Sequence, residues 1–300
     1  MENELKINGY DVRTDASIKN KLWVIVPVVL LVGLLSTLIY NHYAEFSVEG
    51  FVNGFDQNFA VFFAIGVFAQ LVDGTLGMGY GATSTSFLLA YGVPPVVSST
   101  AVHVSEMFTT GASALSHHRF GNINKKLVKH LLIPGVLGSI IGAYLLSDVI
   151  SGDIIKPFIA VYMIILAVVI IKKALKKTVV KKKTKKLGIL AGFGGFMDSV
   201  GGGGWGPIVT STLLGRGRNP RYTIGSVNAA EFAISFASGI TFMLFGGIHG
   251  WQVIIGLILG GVISAPLAAY LVNKIKRKPM MVAVGILIIL LSLKTLSKLL

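Results

Sequence analysis

Apolar runs, broken by short polar or glycine-rich stretches, set the pattern of this chain. Residues 22–40 are apolar throughout and long enough to cross a hydrocarbon core of about 30 Å, so they predict a membrane helix. Residues 41–58 read as a polar connector. Residues 59–72 are apolar but short, about 20 Å at a helical rise of roughly 1.5 Å per residue. A glycine-rich stretch at 74–81 follows, then a second short apolar piece at 83–91. Neither piece crosses the core alone, so the pair predicts re-entrant or broken half-helices that meet at the glycines. Irregular backbone of that kind survives at membrane depth only where protein or a watery cavity covers it. Long spans are predicted at 94–118, 127–146 and 156–171. After a lysine-rich stretch the order returns: short pieces at 187–197 and 207–214 flank glycines 201–206, and long spans follow at 220–245, 251–272 and 279–296.

The return is a repeat at the level of single residues. With an offset of 198 − 73 = 125 and no gap, Asp73 pairs with Asp198, Gly77 with Gly202, Gly79 with Gly204 and Gly81 with Gly206. Thr85 pairs with Thr210, Pro95 with Pro220, Glu106 with Glu231, and Phe120-Gly121 with Phe245-Gly246. With one residue inserted, the match extends through Ala143-Tyr144-Leu145 on Ala269-Tyr270-Leu271. Self-similarity on this scale decides the architecture before any single element does. The boundaries it predicts are a polar cytoplasmic segment at 1–21, an extra N-terminal span at 22–40, a first repeat at 57–171, a linker at 172–186 and a second repeat at 187–300. The 22–40 run is too long for a signal-peptide core and no small-residue cleavage site follows it, so it reads as a retained span.

Composition agrees with a membrane protein: 53% of the 300 residues are hydrophobic and 13% charged. Soluble domains carry about 25% charged residues. No cysteine is present, which excludes disulfides and thiolate metal sites. The net charge of +14 would suit a nucleic-acid partner, but nine lysines lie between 172 and 186, between apolar segments. A positive-inside loop explains them, and no base-reading module is visible. With that loop cytoplasmic, Arg119, Lys125, Lys126, Lys129, Arg216, Arg218, Arg221 and Lys274 to Lys278 also fall inside. Equivalent loops of the two repeats then carry opposite charge bias. This predicts inverted topology in the plasma membrane, with the N-terminus inside and the C-terminus outside. Lys294 and Lys298 are a mild misfit to that orientation. The fold class is therefore an all-α polytopic membrane protein of two inverted-topology repeats, whose broken half-helices meet near the bilayer midplane.

Inverted repeats with interrupted helices are how secondary transporters build a midplane site. The glycine runs place backbone N–H groups and positive dipole ends ahead of a half-helix, which suits an anion. The candidate substrate contacts are Gly77, Gly79, Tyr80, Gly81, Thr83, Ser84 and His103 in one repeat, and Gly202, Gly204, Trp205, Gly206 and Asn228 in the other. The bland alternative is that the glycines serve only close helix crossing. Asp73, Asp198, Glu106 and Glu231 are intramembrane acids, costly and functional by default. The glutamates are read either as proton carriers or as structural ties, and the aspartates as hairpin caps. His103 lies one turn before Glu106 and is a relay, a ligand donor or a satisfied core histidine; its counterpart is Asn228. Trp205, matching Tyr80, walls the site or sits at its mouth. Two motifs are false leads. Residues 75–81 only faintly resemble a potassium filter, which needs four equivalent loops. Residues 201–206 lack the lysine and strand of a phosphate loop. No nucleophile–base pattern, metal-ligand cluster or cofactor motif is legible, so an enzyme reading has nothing to stand on.

Asp73 with the Gly77–Gly81 run, Pro94-Pro95 leading to Glu106, His118-Arg119-Phe120-Gly121-Asn122-Ile123 and the second glycine run at 201–206 together resemble the sulfite exporter TauE/SafE family of membrane permeases. The resemblance covers about residues 57 to 296. It implies transport of small sulfur-containing anions, sulfite or organosulfonates such as sulfoacetate and sulfolactate. Glu106, Glu231 and His103 depart from what many members carry. The function expected is a secondary transporter for such an anion, with protons as coupling ion. A passive anion channel of the same fold and a membrane scaffold with a vestigial site are the alternatives.

Overall fold

The computed structural model describes residues 55–176, 186–247, 249–271 and 276–299. The expected segment 1–21, the span at 22–40 and most of the 172–186 linker lie outside these residues. Among the described residues every regular element is helical. They are α1 (Phe59–Leu76), α2 (Tyr80–Tyr91), α3 (Pro95–Arg119), α4 (Lys125–Tyr144) and α5 (Gly152–Leu175) in the first half. The second half holds α6 (Leu187–Gly201), a π-helical turn at Gly206–Thr210 running into α7 (Ser211–Gly215), then α8 (Pro220–Phe245), α9 (Trp251–Leu271) and α10 (Arg277–Ser297). A further π-helical turn, Leu145–Val149, extends α4. The helices α1, α4 with its extension, α5, α8 and α10 are long and apolar enough to cross a membrane.

The first break is narrower than the sequence predicts. α1 continues through Asp73 and Gly74 to Leu76, giving about 27 Å of helix rather than 20. A glycine inside a helix weakens it without ending it. The chain turns only where Gly77 takes φ +72° and Gly79 takes φ +111°, left-handed values that favour glycine. Residues 77–79 are thus the break, and Gly81 already belongs to α2. In the second half α6 ends at Gly202, with φ +68°.

The sequence repeat reappears in the helix limits. α1 and α6 end 201 − 76 = 125 residues apart, and α3 and α8 begin 220 − 95 = 125 apart. Packing is reciprocal across the halves: α1 lies against α9, and their respective counterparts α6 and α4 lie against each other. α3 packs on its own counterpart α8, and α5 on α10. Glycine makes both reciprocal contacts close. A Cβ on Gly138 would stand 2.1 Å from the Gly192 carbonyl oxygen, and one on Gly260 would stand 2.2 Å from that of Phe63. Small residues serve here as they do in membrane helix pairs generally, where dispersion and close approach replace the hydrophobic drive.

Two lysines hold the short helices. Lys173 Nζ, at the end of α5, donates to the Pro207 carbonyl at 3.1 Å and to Ser211 Oγ. Lys298 Nζ, after α10, donates at 3.0 Å to the Ala90 carbonyl in the last turn of α2. A cation at a helix C-terminus is stabilising, which gives Lys298 a role independent of membrane orientation.

A candidate anion and proton site at the glycine crossing

The two glycine breaks touch. A Cβ on Gly203 would lie 2.2 Å from the Ala82 nitrogen, and one on Gly81 would lie 2.7 Å from the Gly203 Cα. Gly206 meets Met78, whose Cβ is 2.9 Å from where its own would be. Thr85 Oγ1 donates to the Gly202 carbonyl and ties the crossing. Close crossing, the bland reading of these glycines, is therefore realised at Gly81, Gly203 and Gly206.

Over this crossing lies α3, the least apolar of the long helices, whose buried face carries Ser99, His103, Ser105 and Glu106. His103 is 0% exposed, Asp198 2% and Glu106 3%. Asp198, near the end of α6, accepts with Oδ1 from the Gly204 N–H at 2.6 Å and the Trp205 N–H at 2.8 Å. It thus caps the start of the broken helix, as the sequence suggests. Its Oδ2 points at His103 Nε2, 3.4 Å away. His103 Nδ1 lies 2.7 Å from the Ser99 carbonyl oxygen, which can only accept, so Nδ1 carries a hydrogen. Ser235 Oγ, on α8, donates to Glu106 Oε2 at 3.2 Å.

The donor atoms of His103, Glu106 and Asp198 fall within 4.8 Å of one another. One cation or one proton could bridge them. The sequence showed no such cluster because Asp198 stands nearly a hundred residues from the other two. Buried hydroxyls surround the crossing. The oxygens of Thr83, Ser84, Ser99 and Tyr162 are buried and have no hydrogen-bond partner. The Tyr162 hydroxyl lies 2.2 Å from where a Cβ on Gly204 would be, and Ser99 Oγ lies 2.9 Å from one on Gly202.

The other nominated residues contribute less. Asp73 faces the Tyr80 backbone N–H, as Asp198 faces that of Trp205, but it is only partly buried. Glu231 is also partly buried and lies within electrostatic reach of Glu106, Asp73 and Asp198. Asn228 Nδ2 donates to Ser113 Oγ at 2.7 Å, so it does not copy the His103 contact with an aspartate. Gly77 and Gly79 form the turn into α2, and the Tyr80 hydroxyl donates to the Leu257 carbonyl at 3.3 Å. The Trp205 ring is sealed among Leu131, Val209, Leu213 and Ile234 rather than at a mouth; only its backbone N–H faces Asp198. Sequence reasoning missed Ser99, Tyr162 and Ser235. Serines and tyrosines in membrane helices are common, and nothing in their spacing marks these three.

A profile of the family described as sulfite exporter TauE/SafE matches residues 62–295. The chain is 43% identical over 249 residues to the protein named "Probable membrane transporter protein YtnM" of Bacillus subtilis (strain 168), covering 79% of this chain and 82% of that one. It is 28% identical over 108 residues to "Probable membrane transporter protein ORF9" of Sinorhizobium sp, covering 36% and 41% of the two. No solved structure matches. A multi-pass helical chain with a polar seam at its glycine crossing, matched by such a profile over most of its length, belongs to the sulfite exporter TauE/SafE family of membrane proteins.

Proposed function

We propose that this protein is a secondary transporter for a small sulfur oxyanion, sulfite or an organosulfonate such as sulfoacetate, coupled to protons. The observation that carries this reading is the set of buried hydroxyls without partners, two of which, Ser99 and Tyr162, lie against Gly202 and Gly204. Buried polar groups are nearly always hydrogen-bonded, so these donors await a ligand rich in acceptors. A sulfonate or sulfite, with three oxygens, fits that chemistry. The N–H groups at the starts of the half-helices, held by Asp73 and Asp198, lie at the same crossing. The coupled proton is drawn to the buried carboxylates, with Glu106 or Glu231 its carrier in the simplest arrangement. An ionised glutamate would repel the anion, and a protonated one would not.

Reciprocal packing of the halves supports inverted repeats related by an axis in the membrane plane; the lysines of the 172–186 linker support a cytoplasmic side for it and for the N-terminus. Alternating access would rock one half against the other around the crossing.

The test is uptake into liposomes containing purified protein under an imposed proton gradient, with labelled sulfoacetate and sulfite. Accumulation that collapses with the gradient and is lost in Glu106→Gln is the expected result. Equilibration without accumulation, unchanged in the variant, would make the protein a passive channel and Glu106 a structural group.

A further inference from the structure

The contact between His103 and Asp198 is unusual for a buried pair. Nδ1 of His103 is committed to the Ser99 carbonyl, so Nε2 of the neutral ring presents a lone pair. Asp198 Oδ2 presents lone pairs back at it across 3.4 Å, and neither atom has another partner. Two acceptors facing each other in a dry site repel, and each is left unsatisfied at a cost of about 1–3 kcal/mol. One hydrogen between them satisfies both. The other oxygen of the same carboxylate grips the Gly204 and Trp205 N–H groups, the donors at the start of the broken helix.

We propose that His103 and Asp198 share one proton between Nε2 and Oδ2, and that this proton gates the anion site through the Gly204 and Trp205 N–H groups. The inference rests on the anion-transport reading for its second half only. With the proton present, the pair is neutral overall, and the N–H groups face no net negative charge. When the proton leaves, Asp198 is an uncompensated anion clamped on those same N–H groups and excludes a second anion. Anion and proton therefore enter together and leave together. The proton arrives from water on one side and is released to water on the other, with Glu106 the neighbour placed to exchange it.

The titratable groups facing this contact come from several elements. They are Glu106 on α3 itself, Tyr162 on α5 and Glu231 on α8; Asp73 and Tyr80 at the first break reach Glu106 rather than this contact. Among the described residues no lysine or arginine pairs with the acids of this group, so the histidine is the local source of positive charge. The arrangement is not duplicated. Asn228 stands where the second repeat would need its histidine, and one His–Asp seat of this kind per chain is the consequence.

The experiment uses the full-length protein in detergent with Trp23→Phe and Trp251→Phe, leaving Trp205 as the sole indole. Without any anion, Trp205 emission is followed over the widest pH range in which the protein stays folded. A one-proton transition in this parent, absent in His103→Asn and retained in Glu106→Gln, is expected. An unchanged transition in His103→Asn, or one lost only in Glu106→Gln, overturns the assignment. Should His103→Asn fail to fold, Asp198→Asn, which keeps an acceptor for the two N–H groups, gives the same decision. Methanesulfonate, ionised throughout, then probes the gate. Its apparent affinity should fall by about tenfold per pH unit above the midpoint and lose that slope in His103→Asn, as linkage to one proton requires. A flat profile in the parent overturns the gating half. Failure of methanesulfonate, sulfite and sulfoacetate to bind at any pH overturns the transport reading, while the anion-free transition still decides the proton seat. A transition that vanishes with chelator and returns with Zn²⁺ overturns the proton in favour of a metal ion on His103, Asp198 and Glu106.

Discussion

The two glycine breaks begin alike and end differently. α1 and α6 both stop on a left-handed glycine, Gly77 at φ +72° and Gly202 at φ +68°. Beyond that point the first break carries Met78, and α2 then runs as twelve regular residues. At the same place the second carries Gly203, inserts its bare backbone against Gly81 and Ala82, and restarts as a π-helical turn. The aspartates that begin the breaks diverge too. Asp198 is buried against a histidine, whereas Asp73 is partly exposed. The lesson is that duplication supplied the scaffold, and single substitutions gave the two halves different parts of the chemistry. The site is assembled between repeats, with His103 and Glu106 from the first and Asp198 with its glycine run from the second.

The sharpest way to break this comparison is to put a side chain at the crossing. Gly203→Ala drives a methyl into the Ala82 nitrogen and the Gly81 carbonyl carbon, 2.2 and 2.3 Å away. Neither neighbour is a flexible side chain, so a loss of about 3 kcal/mol or more is expected. Its mirror, Met78→Ala, removes a side chain instead and should be milder. Thermal unfolding in detergent compares the two; equal losses would mean that the halves share the crossing evenly.

A smaller difference should separate the aspartates. Asp198→Ala strands the Gly204 and Trp205 N–H groups, at about 1–3 kcal/mol for each buried donor. Asp73→Ala opens a partly exposed site and should cost clearly less in the same assay. Smallest of the three is Thr85→Val, which loses only the hydroxyl bond to the Gly202 carbonyl. A loss of about 1 kcal/mol is expected, against less for Thr210→Val in the other repeat. If Thr210→Val proved the more damaging, the tie across the crossing would have been assigned to the wrong half.

Much of this architecture was legible. Glycine positions, proline starts and the offset of 125 located the two breaks and the long helices beginning at Pro95 and Pro220. The extent of α1 was not legible. Asp73 and Gly74 look like a helix end on local propensity, yet packing of α1 along α9 carries the helix four residues further, to Leu76. Glu106, Asp198 and His103 were each nominated as intramembrane polar residues, but their meeting was not. The symmetric alignment pairs Asp198 with Asp73 and His103 with Asn228, and it says nothing of contacts that cross from one repeat to the other.

What the sequence determined by itself is the duplicated helical plan and the positions where the backbone must bend. Those follow from apolar run length, glycine and proline, which act locally. Only the tertiary structure decided that one aspartate spends one oxygen on the broken helix and turns the other to a histidine 95 residues away in sequence. That outcome depends on where reciprocal glycine packing sets α3 against α6, and no local propensity encodes it.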